Sequence, residues 1–524
     1  MKTFFLILLS LVVITSPGAV GWCADIPPSV KFGGGTVQGV QEEGAFVFRG
    51  IPYAAPPVGN LRWRPPQPAP PWQGVRSAAS FGPACPQPEV SELEGGGDLG
   101  KLAEDCLYLN IWKPTNPPEK KLPVMVWIHG GGFLVGAGSG PEYPGGKLAQ
   151  KGVLVVSLNY RLGSLGFLVH EDLEKESPAD FAGNYGLLDQ IAALQWIRKN
   201  IDAFGGDPDR ITLFGESAGA ASISLLMLSP QAKGLFNRAI MQSATATTLP
   251  YIMPLANGSY AQAQETGRKL AAGLGCEKGK DTLAAMRAKT PAEIMAAARS
   301  PIDDIAFSSE GLLFAPVYDG LLIPGRPEKL LAQGAQPPIP VIIGTNRDEA
   351  TIFTADLSLT TYKNWISKHF GGHEKDIYKI FPSQNEGYFL SAANRFLTAL
   401  WFTEPARFLA RSMTAIGGPV YRYQFTHVPD SFWMAGMGAY HGVEIPYVFG
   451  NIDKDGPSAT DKRLSEAMMD YWVRFAVQGN PNAAGLPAWP VYDRAAEPYL
   501  ELGESISVKS DLDRQACDLI EKIR

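Results

Sequence analysis

The chain has 524 residues, of which 45% are hydrophobic and 19% are charged, and its net charge at pH 7 is −6. This composition is typical of a globular protein and excludes a disordered or fibrous chain. The acidic balance gives no indication of a nucleic-acid-binding surface, so we expect no nucleic-acid partner.

The first predicted element is a secretory signal peptide over residues 1–21. Lys2 supplies a positive charge, residues 4–14 form an apolar run, and the small residues Ala19 and Gly21 precede a cleavage point. The run is too short for a membrane span, which takes about 20 apolar residues. Cleavage as late as residue 24 fits the same pattern, and a buried N-terminal helix is the alternative. We expect a secreted or periplasmic protein without a membrane span.

Strand and helix patterns alternate along the rest of the chain. Residues 260–415 are mostly helical in pattern. This alternation predicts an α/β fold with a largely parallel sheet covered by helices. Because no repeat or linker stands out, we predict one domain over residues 25–524 with helical insertions around 260–415. The predicted strands are 123–128, 153–158, 210–214, 239–242, 341–344 and 420–425, and the predicted core helices are 187–204 and 218–228.

Five cysteines, an odd number, leave at least one thiol unpaired in an oxidising compartment. Cys85 and Cys106 bracket a glycine-rich, charged stretch that is typical of a loop, and a bridge between them would stabilise the fold by about 3 kcal/mol. Their spacing is not that of a zinc site, so we expect no metal. The sequence does not pair Cys23, Cys276 or Cys517.

The sequence Gly-Glu-Ser-Ala-Gly at 215–219 follows a predicted strand and begins a predicted helix. Glycines on both sides permit the strained turn that exposes a serine hydroxyl, and the new helix directs its N-terminal amides to the same place. The pattern predicts Ser217 as a nucleophile. A glycine-flanked turn with a capping serine is the structural alternative.

A second glycine-rich stretch, His-Gly-Gly-Gly-Phe at 129–133, follows another predicted strand. Consecutive glycines let backbone N–H groups approach a developing oxyanion, and each such donor lowers the barrier by about 3–4 kcal/mol. We predict the amides of Gly131, Gly132 and Ala218 as the three donors. The spacing does not match a nucleotide-binding loop, so no nucleotide cofactor is expected.

Taken together, these motifs resemble the type-B carboxylesterase family, the cholinesterase-like branch of the α/β-hydrolases, from about residue 30 to the C-terminus. The resemblance implies a large, mostly parallel, twisted central sheet flanked by helices, and a secreted bacterial serine carboxylesterase without a metal or organic cofactor. It rests on residues 49–54, 104–110, 129–133, 159–163, 204–208, 215–219 and 344–349.

In α/β-hydrolases the acid and then the histidine follow the nucleophilic serine along the chain. The sequence around His441, at 440–447, resembles the catalytic histidine motif of the family, which implies His441 as the general base and acid. The other histidines after Ser217 are His427, His369 and His373. His427 ends a predicted strand, where a purely structural role is the alternative, and His369 and His373 lie in a polar stretch typical of the surface.

For the acid that orients the histidine, the resemblance selects Glu349, with Asp348 as the alternative. Both residues follow a predicted strand, where α/β-hydrolases place this acid on a loop. Polar residues of the family near the site match Glu216, Ser243 and Glu444. We expect the substrate pocket to include Phe133, Leu312, Phe314 and Phe353.

Departures from the family narrow the expected substrate. The segment between Cys85 and Cys106 contains no aromatic residue and is short and glycine-rich, which disfavours choline esters and interfacial lipase action. Leu312 and Leu313 stand where cholinesterases have rings, which favours larger acyl groups. We expect a monomer or dimer acting on a small-molecule or oligomeric ester. The alternatives are an amidase, a thioesterase, a polyester- or mycotoxin-type esterase, and a non-catalytic binding protein.

Overall fold

The computed structural model describes residues 27–89, 98–177, 181–252, 259–277, 281–299, 307, 312–383, 388–429, 436–452 and 456–523. The predicted signal peptide and Cys23 lie outside these residues. Within the described ranges, every helix is too short or too polar to traverse a lipid bilayer.

The strands form the central part of the fold. Long apolar runs such as Leu122–Ile128 are buried along their whole length, as expected for central strands covered on both faces. The described strands are β1 (Ser29–Phe32), β2 (Gly35–Gln38), β3 (Val40–Glu42), β4 (Ala45–Pro52), β5 (Val75–Ser77), β6 (Tyr108–Pro114), β7 (Leu122–Ile128), β8 (Leu154–Leu158), β9 (Gly206–Glu216), β10 (Arg238–Gln242), β11 (Val341–Asn346), β12 (Val420–Phe425), β13 (Pro498–Leu502) and β14 (Ile506–Ser510).

Helices lie between these strands and are concentrated between β10 and β12. The described helices are α1 (Gly146–Gln150), α2 (Gly163–Phe167), α3 (Glu171–Glu176), α4 (Tyr185–Asn200), α5 (Ala218–Leu228), α6 (Leu249–Ile252), α7 (Tyr260–Gly273), α8 (Thr282–Arg287), α9 (Pro291–Ala298), α10 (Pro327–Ala332), α11 (Leu359–Phe370), α12 (Glu374–Ile380), α13 (Phe389–Thr398), α14 (Glu404–Ala415), α15 (Ile445–Phe449), α16 (Ala459–Gln478) and α17 (Arg514–Ile523).

The central sheet has eleven strands in the order β14-β13-β12-β11-β10-β9-β7-β8-β6-β4-β3. In this spatial order, the strands from β13 to β8 all pair parallel with their neighbours inside that group. The strands at both edges, β14 on one side and β6, β4 and β3 on the other, pair antiparallel. The sheet is therefore mixed and mostly parallel, as predicted. A separate small sheet joins β1, β2 and β5.

Strand register brings the carboxyl ends of the central strands to one edge of the sheet. Glu216, the last residue of β9, pairs with Gln242 at the end of β10, which in turn pairs with Gly344 of β11. Loops that leave this edge carry the predicted nucleophile, acid and histidine. In open α/β sheets, ligands bind outside the carboxyl ends of the strands.

Candidate active site

Ser217 occupies the turn between β9 and α5. Its backbone has φ 53° and ψ −123°, a conformation that non-glycine residues rarely adopt. The Ser217 amide donates to the carbonyl O of Gln242 at 2.9 Å, and the Ser217 carbonyl accepts from the Ala221 amide at 2.9 Å. These two hydrogen bonds hold the strained turn, and they leave the serine side chain only partly buried.

The glycines on either side of Ser217 are required by close packing against β7. A Cβ at Gly219 would lie 2.0 Å from the carbonyl O of Ile128, and one at Gly215 would lie 2.7 Å from the same atom. Any larger residue would push α5 away from the sheet. This strand–turn–helix geometry therefore requires the Gly-x-Ser-x-Gly pattern.

His441 and Glu349 meet in a buried hydrogen bond. Nδ1 of His441 lies 2.7 Å from Oε2 of Glu349, and Oε1 of Glu349 accepts from the Asn346 amide at 2.7 Å. Asp348, the alternative acid, instead accepts from the Ala439 amide at 2.8 Å. Glu349 therefore occupies the Nδ1 side of the imidazole, and Nε2 is the nitrogen left for proton exchange.

Nε2 of His441 is buried and forms no hydrogen bond with the described residues. Oε1 of Glu216, the residue before Ser217, lies 3.1 Å from this nitrogen but outside hydrogen-bond geometry. Burial lowers the pKa of His441, yet the carboxylates of Glu216 and Glu349 outweigh burial and raise this pKa to about 9. Burial also raises the pKa of Glu216 to about 8, against the opposing effect of His441.

Glu444 links the ends of two strands to the loop of His441. Its carboxylate accepts from Gln242 Nε2 at 2.9 Å and from Asn346 Nδ2 at 2.6 Å, and Asn346 Nδ2 also donates to the Tyr440 carbonyl at 2.7 Å. Burial raises the pKa of Glu444. These bonds fix the backbone next to His441 relative to β10 and β11.

Ser243 lies directly after β10 in a left-handed conformation, with φ 56°. Its amide donates to the Gly344 carbonyl at 2.9 Å, while its buried hydroxyl bonds to none of the described residues. The structure therefore brings Ser243 to the correct edge of the sheet without joining it to His441 by a hydrogen bond.

The glycine loop after β7 has an unusual backbone. Gly131, Gly132 and Phe133 all have positive φ, and a Cβ at Gly131 would lie 2.3 Å from the Val135 carbonyl O. The Gly131 carbonyl accepts from the amides of Leu134 and Val135. These bonds engage the Gly131 carbonyl, so the loop is closed on its carbonyl side.

His129 supports this loop from within the core. Its ring stacks on Tyr160 with centroids 4.4 Å apart, and the Tyr160 hydroxyl donates to the His129 carbonyl at 2.9 Å. Burial lowers the pKa of His129 to about 4, so its imidazole is neutral near pH 7. His129 thus has a packing role at the base of the glycine loop.

Two aromatic rings flank the imidazole of His441. The centroid of Phe353 lies 5.2 Å from that of His441, and the centroid of Phe402 lies 4.9 Å away. Phe402 belongs to a π-helical turn, Ala399–Thr403, of a kind that is frequent at functional sites. Phe353 was predicted as a pocket residue, whereas Phe402 was not, because its neighbouring sequence offers no signal beyond the adjacent aromatic Trp401.

The other predicted pocket residues are placed differently. Phe133 is fully buried and packs edge-on against Phe167, with centroids 5.3 Å apart, and Phe314 is also buried in the core. Leu312 lines a cavity beside α7 and α9, and no residue of the predicted triad contributes to the described lining of that cavity. The structure therefore does not bring Leu312 to the His441 site.

Comparison with known proteins decides the family. Residues 26–520 match the model of the carboxylesterase family. The chain belongs to the carboxylesterase family. This carboxylesterase is 39% identical over 476 residues to the fumonisin B1 esterase of Sphingopyxis macrogoltabida, covering 88% of this chain and 84% of that protein. It is 38% identical over 493 residues to the para-nitrobenzyl esterase of Bacillus subtilis, covering 91% and 95%.

Solved structures agree with this assignment. A PNB esterase matches the carboxylesterase with a TM-score of 0.82 at 36% identity, covering 94% of this chain and 99% of that one. A carboxylesterase of Geobacillus stearothermophilus gives a TM-score of 0.80 at 34% identity, with the same coverage. The protein therefore has the α/β-hydrolase fold and is a carboxylic ester hydrolase.

Cys85 and Cys106 of the carboxylesterase form a disulfide, with Cα atoms 5.0 Å apart, as predicted. Cys276 and Cys517 are buried free thiols. Among the described residues, no group of three or more His, Cys, Asp or Glu side chains is placed to hold a metal ion.

Proposed function

We propose that this carboxylesterase acts through an acyl-enzyme on Ser217, with His441 as the general base and acid and Glu349 as the orienting acid. The observation that carries the proposal is the 2.7 Å bond between His441 Nδ1 and Glu349 Oε2. This bond leaves Nε2 as the free nitrogen of the ring, next to the residue that precedes the Ser217 turn.

In the first half-reaction, Ser217 Oγ attacks the ester carbonyl carbon while His441 Nε2 takes the hydroxyl proton. The amides of Gly131, Gly132 and Ala218 stabilise the oxyanion that forms. The ester C–O bond then breaks, and the imidazolium gives its proton to the leaving alcohol. Glu349 holds the tautomer and stabilises the imidazolium without taking the proton.

In the second half-reaction, water attacks the acyl-enzyme. His441 removes a proton from the water and returns it to Ser217 Oγ, which releases the carboxylic acid. Atoms and charges balance with water as the sole co-substrate, so the scheme uses neither a metal nor an organic cofactor.

We infer that the substrates are small-molecule or oligomeric carboxylic esters and that the protein is exported as a monomer or dimer. The named relatives act on para-nitrobenzyl esters and on fumonisin B1, which supports a site open to bulky esters. The amide, thioester and polyester alternatives use the same triad chemistry, and matched substrates that differ only in the scissile bond separate them.

The test is hydrolysis of p-nitrophenyl esters from acetate to decanoate by the parent protein and by Ser217→Ala. The proposal expects chain-length-dependent turnover that falls at least about a thousandfold in the variant. Ser367→Ala, at an exposed position on α11, is the matched control and should keep the parent rate. Retention of turnover by Ser217→Ala would overturn the proposal.

A further inference from the structure

A cavity of about 630 Å³ opens between α7 and α9, away from the triad. This volume falls in the range of sites that bind small molecules. Its lining includes apolar residues, among them Leu274, Ala298 and Leu312, as well as basic side chains.

The charge of this cavity is opposite to that of the whole protein. Lys269, Lys289 and Arg299 line it together with one acid, Glu293, in a chain of net charge −6. The Glu293 carboxylate accepts from the amide and hydroxyl of Thr290, at 2.7 and 2.8 Å, and so caps α9. Among the described residues, no carboxylate lies within ion-pair distance of the three basic side chains, although the charge of Lys289 adds to the hydrogen bonds from Thr290 in lowering the pKa of Glu293. The cavity therefore suits a ligand that combines an apolar body with an anionic group.

A second, smaller cavity has lining residues in common with this one and borders the glycine loop. It measures about 210 Å³ and shares Ala298 and Arg299 with the larger cavity. It is also lined by Leu134, whose amide donates to the Gly131 carbonyl of the predicted oxyanion loop. Arg299 thus lines both cavities, and the smaller one borders the loop.

We propose that the two cavities form one elongated subsite for a substrate carboxylate far from the scissile ester bond. Apolar atoms of the substrate would lie along Leu134 and Ala298, and the carboxylate would face Arg299, with Lys269 and Lys289 further out. The inference rests on the proposed function, because it places the scissile carbonyl at Ser217 and the glycine loop. The substrate class is a carboxylate-bearing aliphatic ester.

The test compares the hydrolysis of charged and neutral esters of matched length. Hydrolysis is measured by the release of acid. In the acyl arm, the monobutyl ester of adipic acid is compared with butyl hexanoate. In the alcohol arm, the butyrate ester of 6-hydroxyhexanoate is compared with hexyl butyrate. The proposal expects kcat/KM to be about three- to tenfold higher for the charged ester in one arm at low salt, and this arm identifies the side of the ester that enters the subsite. The preference should shrink at 0.5 M NaCl because salt screens exposed charges.

Variants distinguish an effect of the subsite from an effect of the protein's overall charge. Arg299→Gln and the triple variant Arg299→Gln, Lys269→Gln, Lys289→Gln should lose the preference, progressively. Lys329→Gln, which removes one exposed charge on α10 outside the cavity, should keep it. Unfolding midpoints of all variants establish that they are folded.

The inference is overturned if the charged and neutral esters have equal kcat/KM in both arms, or if the preference survives in the triple variant. The proposed function fails separately, through turnover of the neutral esters by Ser217→Ala. Serine-dependent hydrolysis of the neutral esters without any preference for the charged ones would therefore refute the subsite alone.

Discussion

The imidazole of His441 lies between two carboxylates that have different geometries. Glu349 forms a 2.7 Å hydrogen bond with Nδ1, whereas Glu216 lies 3.1 Å from Nε2 without forming one. The Glu349 bond fixes the tautomer, while the Glu216 charge favours the imidazolium. Both carboxylates raise the pKa of His441, but only Glu349 orients the ring.

Glu216→Gln should move the acidic limb of the profile of kcat/KM against pH to lower pH. His441 must be neutral to accept the Ser217 proton, so the rate rises as pH passes through the pKa of His441. The ionised Glu216 raises this pKa, and a neutral amide of the same shape removes that effect. Steady-state kinetics between pH 5 and 10 measure the shift. An unchanged midpoint in Glu216→Gln would contradict this account, and Glu374→Gln, at a site on α12, serves as the control.

Local motifs allowed the residues at the His441 site to be predicted, whereas side chains from distant segments were harder to foresee. Ser217 is marked by two glycines that the packing of α5 on β7 requires. Phe402 reaches the imidazole from the helical region between β11 and β12, and nothing in its neighbouring residues indicates that contact. Leu312 was predicted to line the substrate pocket, and the structure places it in the cavity between α7 and α9.

At the level of elements, α15 and α16 are joined by a polar cluster around the buried side chains of His427 and Asp461. His427 lies with Nε2 2.7 Å from Asp461 Oδ1 and Nδ1 2.9 Å from Glu504 Oε1. Asp461 also caps α16 through Ser458 and accepts from the Tyr447 hydroxyl on α15. His427 is thus hydrogen-bonded within this cluster, which agrees with a structural role for this histidine.

Asp461→Asn should lower the free energy of unfolding by about 2 kcal/mol at pH 7. Burial raises the pKa of Asp461, but hydrogen bonds from Tyr447, Ser458 and His427 outweigh burial and lower the pKa to about 2. A lowered pKa stabilises the fold above the unfolded value near 3.8, and this contribution is lost as pH falls through about 2. Urea unfolding at pH 7 and pH 3 should show a smaller difference from the parent at pH 3. Equal differences at both pH values would contradict the assignment.

The central elements could be predicted from sequence because buried parallel strands are continuous apolar runs. The six predicted strands correspond to β7 through β12, and the predicted helix at 218–228 coincides with α5. The antiparallel edge strands, such as β3 and β14, were not predicted because they are short and partly exposed. Their pairing depends on neighbours distant in sequence.

At the scale of the whole molecule, the Cys85–Cys106 disulfide closes a loop with a sequence separation of 21. Replacing both cysteines by serine should lower the free energy of unfolding by about 3 kcal/mol, because the unfolded chain regains the entropy of the open loop. Urea unfolding of the parent and the double variant measures the change. Adding a reductant should destabilise the parent and leave the double variant unaffected, and equal stability of the two oxidised proteins would contradict the prediction.

Export is a second property of the whole chain. The predicted signal peptide should be removed after residue 21, or as late as residue 24, when the full chain is produced in a Gram-negative host. Mass spectrometry of the intact protein from the periplasmic fraction checks the new N-terminus. Recovery of the uncleaved chain from the cytoplasm alone would contradict the prediction.

The serine mechanism is tested most directly by covalent labelling with a fluorophosphonate, which phosphonylates an activated serine hydroxyl. Peptide mass spectrometry should find one adduct per chain, on Ser217, and labelling should be lost in Ser217→Ala and strongly slowed in His441→Ala. Loss of esterase activity should follow labelling in the same proportion. An active, unlabelled protein, or an adduct on another residue, would contradict the assignment of Ser217 as the nucleophile.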